Sequence, residues 1–339
     1  MPFPDLSISM AHGAGGTASR RLVEEVFKPA FANPALDALA DAAILDVQNL
    51  RLAFTTDCFV VRPLVFPGGS IGELAINGTV NDLAVSGATP IAIAAGFIIE
   101  DGLDAGVLRR EVAAMARAAR QARVAIVAGD TKVVERGKAD GLYITASGIG
   151  CVDPLWRLGP QHVRPGDAVL LSGPIADHGI SILLARHELA LDEPVRSDTR
   201  PLTALISALR DATGQNVRWM RDATRGGVAT VLNELAQAAG AGVQLEEARI
   251  PVSEPVRQAC ELLGLDPLHV ANEGQFVAVI APQAADRALT ALRSVAGDEA
   301  AAIVGRITDD AARRVLCRSA LGATRVIEML TGDPLPRIC

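Results

Sequence analysis

The chain has almost no lysine. Lys28, Lys132 and Lys138 are the full set, and the other 29 of its 32 basic residues are arginine. Such a bias fits genome composition better than chemistry, yet it makes Lys132, which sits inside a glycine-rich acidic motif, worth weighing. Positive charge is in deficit: 39 acidic residues give a formal net charge of −7, which argues against a general nucleic-acid or anionic-membrane binder. Cysteine is sparse and scattered, at Cys58, Cys151, Cys260, Cys317 and Cys339. An odd number without a CxxC pair excludes a disulfide framework and a zinc knuckle, and predicts a reduced, cytoplasmic protein. Long hydrophobic runs are missing too. The longest, around 91–99, falls far short of the ~20 residues that span a bilayer, and residues 1–10 lack the basic segment of an export signal. What is present is bulk: 339 residues, half of them hydrophobic, enough for two domains with real cores.

Periodicity gives the organisation. Residues 51–61 are apolar and β-branched and predict a strand, with Thr55-Thr56-Asp57 midway. Residues 71–88 have helical spacing and stop at Gly87 and Pro90; 91–99 predict a strand. Asp104 caps a predicted helix over 105–123 whose Leu108, Val112, Met115 and Ala119 form a buried stripe. A short strand over 124–128 is expected to end at Gly129-Asp130, and another covers 142–149. Asp153-Pro154, Gly159-Pro160 and Arg164-Pro165-Gly166 crowd turn signals together, so domains are expected at 1–155 and 156–321. The second half predicts strands at 168–172, 243–245, 275–280, 302–307 and 313–317, with helices at 180–186, 202–211, 228–239 and 284–296. The stretch 322–339 has no core period beyond 326–330 and predicts an extended, mobile tail ending in Cys339.

Five segments set carboxylates among glycine, threonine or asparagine: Thr55-Thr56-Asp57, Gly78-Thr79-Val80-Asn81-Asp82, Gly129-Asp130-Thr131-Lys132, Asp222-Ala223-Thr224-Arg225-Gly226-Gly227 and Asn272-Glu273-Gly274. Aspartates at strand ends facing one cleft suit Mg²⁺ bridging to phosphates, although each segment alone also makes an ordinary turn. Asp82 is hardest to read as a turn, because it lies in an apolar helix where an unpaired carboxylate is costly. The loop His12-Gly13-Ala14-Gly15-Gly16 precedes a predicted helix and offers backbone N–H groups to phosphate; by spacing alone, a flexible N-terminus explains it equally well. His162, His187 and His269 show no metal-ligand spacing.

Taken together, these segments closely resemble the HypE family of nickel–iron hydrogenase maturation proteins, from His12 to the terminal Pro336-Arg337-Ile338-Cys339. The wider group holds aminoimidazole ribonucleotide synthetase, selenophosphate synthetase and thiamine-monophosphate kinase, none of which needs a terminal thiol. The resemblance implies a two-domain α/β (α+β) fold like that of aminoimidazole ribonucleotide synthetase. Its N-terminal domains would pair into a dimeric β-barrel beside an α/β sandwich C-terminal domain. It implies an ATP- and Mg²⁺-dependent carbamoyl dehydratase that turns a carboxamide on the terminal cysteine into a thiocyanate, the source of cyanide for the hydrogenase iron. By the same resemblance Asp57, Asp82, Asp130 and Asp222 are metal ligands. His12, Gly13, Gly15, Gly16, Thr56, Asn81, Thr131 and Thr224 surround the nucleotide. Lys132 and Glu273 flank the carboxamide, and Cys339 carries it; for Lys132 a structural ion pair is the other reading. Implied partners are a HypF-like carbamoyltransferase, a HypC–HypD-like iron-carrying scaffold and a second copy of the chain. Three departures stand out: Cys58 and Ala223 where serine and proline are usual, and His269 for a common tyrosine. Cys58 is expected to bring a second thiol near the site. A non-enzymatic scaffold whose cysteine merely docks a partner remains the reading from another class.

Overall fold

The structure is a computed structural model describing residues 7–13, 15–187, 193–296, 301–332, 335 and 337–339; Ala14, Pro334 and Pro336 lie outside the described residues. The first sheet follows the short helices α1 (Thr17–Leu22) and α2 (Lys28–Ala30). It uses β1 (Ala43–Val47) and β2 (Leu50–Phe59), then, after a small hairpin of β3 (Val65–Phe66) and β4 (Gly69–Ser70) and the helix α3 (Ile71–Val85), β5 (Ala88–Glu100). Helix α4 (Ala105–Ala122), β6 (Ala125–Val134) and β7 (Leu142–Val152) complete it. The strand order is β1-β2-β7-β5-β6, antiparallel except where β5 pairs in parallel with β6 across the α4 crossover.

The second half contributes β8 (Ala168–Leu171), α5 (Asp177–Arg186), α6 (Thr203–Thr213), β9 (Val217–Asp222), α7 (Gly227–Ala239), β10 (Gly242–Glu246) and α8 (Glu254–Leu263). Then follow β11 (Phe276–Ile280), α9 (Ala285–Ala296), β12 (Ala302–Thr308), β13 (Val315–Arg318) and β14 (Thr324–Val326). Its sheet runs β14-β13-β10-β12-β8-β11-β9. Both faces are covered, by α7 on one side and by α6 and α9 on the other, which is why β8 and β11 are buried at every position.

Helix α3 is the hinge of the architecture. It is buried almost all round, because one side packs on the first sheet while Asn77 and Asn81 reach the second half. Its N-terminus is capped from α4: the Gly72 N–H donates to Glu111 Oε2 at 3.1 Å. Helix α4 begins as the sequence predicts, with Asp104 Oδ1 accepting from the Gly106 and Val107 N–H groups.

Four features differ from expectation. Val112, expected in the buried stripe of α4, is exposed, and the buried face runs through Glu111, Ala114, Met115, Ala118 and Ala119 instead. The strand expected to end at Gly129-Asp130 continues through both to Val134, since β5 supplies partners as far as Glu100; Asp130 is mid-strand. Strands β1, β3, β4, β9 and β14 and helix α8 are absent from the periodicity reading, the strands being short or interrupted by charge. The end of the tail is not free of the core: Leu335 and Ile338 are buried in it, two apolar residues too few to make a period in the sequence.

Candidate active site

Strand β2 alternates across its sheet, so Thr55 and Asp57 face α3 while Thr56 and Cys58 face the other way. Asp82, one turn from the end of α3, meets them: Thr55 Oγ1 lies 2.6 Å from Asp82 Oδ2 and 2.8 Å from the Asp41 carbonyl. Asp222, the last residue of β9, arrives from the second half. Among the described residues, ligand oxygens of Asp41, Asp82 and Asp222 all lie within 4.8 Å of one another. Asp57 shares a hydrogen bond with Asp82. Burial, then the neighbouring carboxylates Asp57, Asp222 and Asp41, push Asp82 well above the usual carboxylate range. Burial, then Asp41 and Asp57, do the same to Asp222. Arg221 gives partial relief, its Nε 2.7 Å from Asp41 and its Nη1 2.5 Å from Glu234. Burial opposes its charge, but Asp41 and Glu234 more than offset that. A buried, mutually repelling set of hard oxygen donors is the arrangement a divalent cation such as Mg²⁺ relieves.

Glu273 sits beside this cluster. Its N–H donates to Asp198 Oδ1 at 2.9 Å and its carbonyl accepts from Asn81 Nδ2 at 3.0 Å. Gly274 is required next to it, because a side chain there would run into the Asp198 carbonyl. Burial, then Asp222 and Asp198, raise Glu273 well above its ordinary range, and burial lifts Asp198 to about 6. Arg225 ties the parts together: negative charge at Cys339, then Asp57, Glu273 and Asp82, hold its guanidinium charged. Its Nη1 also donates to the Gly13 carbonyl at 3.4 Å.

The expected residues thus divide. Asp57, Asp82, Asp222, Glu273 and the end of the tail are brought together, and Thr224 lies in the loop between Asp222 and Arg225. The glycine loop lies over Arg225: Gly15, at φ +85°, has no room for a side chain against Arg225 Cβ. Its helix start, however, faces the tail, with the Thr17 and Ala18 N–H groups donating to the Leu330 and Thr331 carbonyls. His12 is buried, its Nδ1 accepting from the Ser9 N–H at 3.0 Å. Asn81 has a structural task instead of an open one: Nδ2 donates to the Arg200 and Glu273 carbonyls and Oδ1 accepts from the Leu202 N–H. Thr56 points to the exposed face and meets Ser147. Cys58 does likewise, so the second thiol is turned away from the site by strand alternation.

Asp130, Thr131 and Lys132 stand apart from the cluster on β6, the edge of the first sheet. Lys132 Nζ pairs with Asp130 Oδ2 at 3.0 Å, both side chains more than two-thirds exposed. The hydrogen bond from Lys132, then that from the Thr131 N–H, hold Asp130 below its ordinary range. Asp41 and Arg225 are the site residues that sequence reasoning missed. Arg225 lay inside a quoted motif; Asp41 had no signal beyond an acidic residue before a short strand.

Comparison with known proteins places this geometry. Residues 39–152 match the model of the AIR synthase related protein N-terminal domain, and 164–318 its C-terminal domain. The carbamoyl dehydratase HypE of Azotobacter vinelandii is 47% identical over 333 residues, covering 98% of this chain and 97% of that protein. The chain belongs to the HypE family of carbamoyl dehydratases. Solved HypE structures agree in fold. One in complex with ATP is 43% identical with a TM-score of 0.82, over 98% of this chain and all of that one. A HypE–HypF complex gives 0.87 at 43% identity, over 91% and 99%. The two-domain α/β fold expected from the sequence is therefore that of the HypE family. Among the described residues, no helix is long and apolar enough to cross a membrane.

Proposed function

We propose that the chain dehydrates a carboxamide carried on the Cys339 sulfur, S-carbamoyl to S-cyano, at the expense of Mg²⁺–ATP, supplying cyanide ligands for the iron of a nickel–iron hydrogenase. The observation that carries this reading is the docking of the tail: the Cys339 carbonyl accepts from the Val60 N–H at 3.0 Å, and Arg225 interacts with Cys339 as well as with Asp57, Glu273 and Asp82, which supports a group carried on this last residue lying near the carboxylates. Asp41, Asp82 and Asp222, helped by Asp57, form the donor set for Mg²⁺. When bound, Mg²⁺–ATP supplies the phosphoryl group that turns the carboxamide oxygen into a phosphate leaving group.

The chain's own residues do the rest. Arg225 faces the charge that develops on oxygen and phosphate. Glu273, its proton affinity raised by burial, is matched to removing an N–H proton as the nitrile forms. The net change takes the atoms of one water from the carboxamide, its oxygen departing in phosphate. The ATP-bound relative supports the nucleotide, and the HypE–HypF complex supports a carbamoyltransferase of that type as loading partner. An iron-carrying scaffold of the HypC–HypD kind is the acceptor this chemistry requires.

A homodimer belongs to the same reading. Edge strand β6 is exposed almost throughout, with Val127 67% and Val133 66% accessible, and Phe54 and Ile98 are also exposed on the first sheet. Such an edge favours pairing with a second copy. Asp130 and Lys132 lie on that edge, so their proposed roles at metal and carboxamide are met across the pair. Residues 1–155, 156–321 and 322–339 are proposed as the working divisions: nucleotide and dimer domain, supporting domain and carrier tail.

The test is mass spectrometry of the C-terminal peptide after loading by a carbamoyltransferase. A carboxamide on Cys339 that loses one water only with Mg²⁺–ATP is expected. An unmodified Cys339, with the transferase active on another acceptor, would instead favour a small-molecule kinase or synthetase of the same fold.

A further inference from the structure

We infer that His178, with Val60 and Arg186, is a clamp that fixes the register of the C-terminal tail and so the position of the Cys339 thiol. The inference deepens the dehydratase reading and rests on it for its bearing on catalysis. Three consecutive tail carbonyls are each claimed. The Arg337 carbonyl accepts from Arg186 Nη2 at 2.6 Å and from the Arg62 N–H at 3.4 Å. The Ile338 carbonyl meets His178 Nε2 at 2.7 Å, and the Cys339 carbonyl accepts from the Val60 N–H at 3.0 Å. Carbonyls recur at every residue, so they lock a register without choosing it; the buried Ile338 and Leu335 choose it. A slip of one residue would pull Ile338 from its apolar seat and move the thiol by a full residue length.

His178 is completely buried, which fixes its protonation logic. A carbonyl only accepts, so Nε2 bears the hydrogen; Nδ1, 2.8 Å from Ser197 Oγ, then accepts from that hydroxyl. Burial holds the ring down to a pKa of about 4, so the neutral tautomer persists at neutral pH. Phe66 packs edge-on at 5.6 Å and sets the ring plane. The support reaches the site: Ser197 Oγ also accepts from the Thr199 N–H, and the intervening Asp198 accepts from the Glu273 N–H. One short segment therefore orients both the clamp imidazole and the backbone of the proposed base. His178 touches no reacting atom; it is a positioning residue.

The test is the rate at which iodoacetamide alkylates Cys339 in the full-length chain without nucleotide or transferase, read by mass spectrometry of the C-terminal peptide. His178→Ala removes the donor and is expected to speed alkylation about ten-fold, the scale of one buried hydrogen bond. His178→Gln keeps an N–H donor and should restore most of the protection. Ser197→Ala releases the ring tautomer without emptying the site, and is expected to fall between; it serves if His178→Ala does not fold. Equal alkylation rates in folded His178→Ala, or in Ser197→Ala should that variant alone fold, would overturn the clamp. ATP-dependent water loss from preloaded Cys339 should drop in parallel in the same variants. Faster alkylation in the variants, with no water loss even in the unaltered chain, would keep the clamp and sink the dehydratase reading instead.

Discussion

Replacing Asp82 by asparagine should stabilise the metal-free protein while abolishing its response to Mg²⁺. Asp82 has ligand oxygens within 4.8 Å of those of Asp41 and Asp222 and shares a hydrogen bond with Asp57. Two unit charges about 5 Å apart repel by about 3 kcal/mol at an effective dielectric of ~20. The raised proton affinity of Asp82 and Asp222 offsets part of that repulsion. The relief left for Asp82→Asn is therefore about 1–3 kcal/mol, a rise of roughly 1–4 °C in melting temperature for a chain of this size. The amide oxygen keeps Thr55 as a partner, and the new N–H donors have the neighbouring Asp57 and Asp222 carboxylates as acceptors. Thermal unfolding with EDTA and with millimolar Mg²⁺ reads both effects. A variant that is less stable in EDTA, or that keeps the Mg²⁺-induced shift, would refute the view that Asp82 is a strained ligand awaiting a cation.

Other predictions follow from neighbouring contacts. Asn81→Ala removes three hydrogen bonds that join α3 to residues 200–202 and 273 and should cost about 3 kcal/mol in urea unfolding; a loss under 1 kcal/mol would mean the join is made elsewhere. Val127→Asp on β6 should convert a dimer to monomers in sedimentation without lowering the melting temperature of the protomer, whereas an unchanged mass would remove β6 as the pairing edge. The pH dependence has a definite sign. A carboxyl whose pKa is raised by folding adds stability below its unfolded pKa, and that stability is lost as pH rises through the folded value. For Asp198 the loss runs from ~4 to about 6, and for Asp82, Asp222 and Glu273, all raised by burial, it has the same sign. Mg²⁺ should accordingly stabilise more at pH 8 than at pH 5.5, and a shift independent of pH would show that the cation binds elsewhere.

Much of the site was legible because its residues depart from their local pattern. Asp82 interrupts an apolar helix, and Asp57 interrupts a β-branched strand on the face that turns inward. Asp222 precedes paired glycines. Asp41 was not legible: it lies in an alanine-rich connection before a five-residue strand, and only the approach of Arg221 and Asp82 gives it meaning. Asp130 misled in another way, since Gly129-Asp130 has turn composition, while the length of a strand depends on its neighbour; β5 carries the pairing on. The docking of the tail escaped because it is made mostly by backbone carbonyls, which no side-chain pattern reports. Asn81 shows the converse, a residue conspicuous within a motif whose polar atoms all hold backbone.

The measurement that tests the central claim most directly is the fate of the carboxamide oxygen. Cys339 is to be carbamoylated with an ¹⁸O label, treated with Mg²⁺–ATP, and the products analysed by mass spectrometry. The account predicts ¹⁸O in the released phosphate and an unlabelled thiocyanate on Cys339. Label appearing in water, with phosphate unlabelled, would contradict activation of the carboxamide oxygen by phosphoryl transfer.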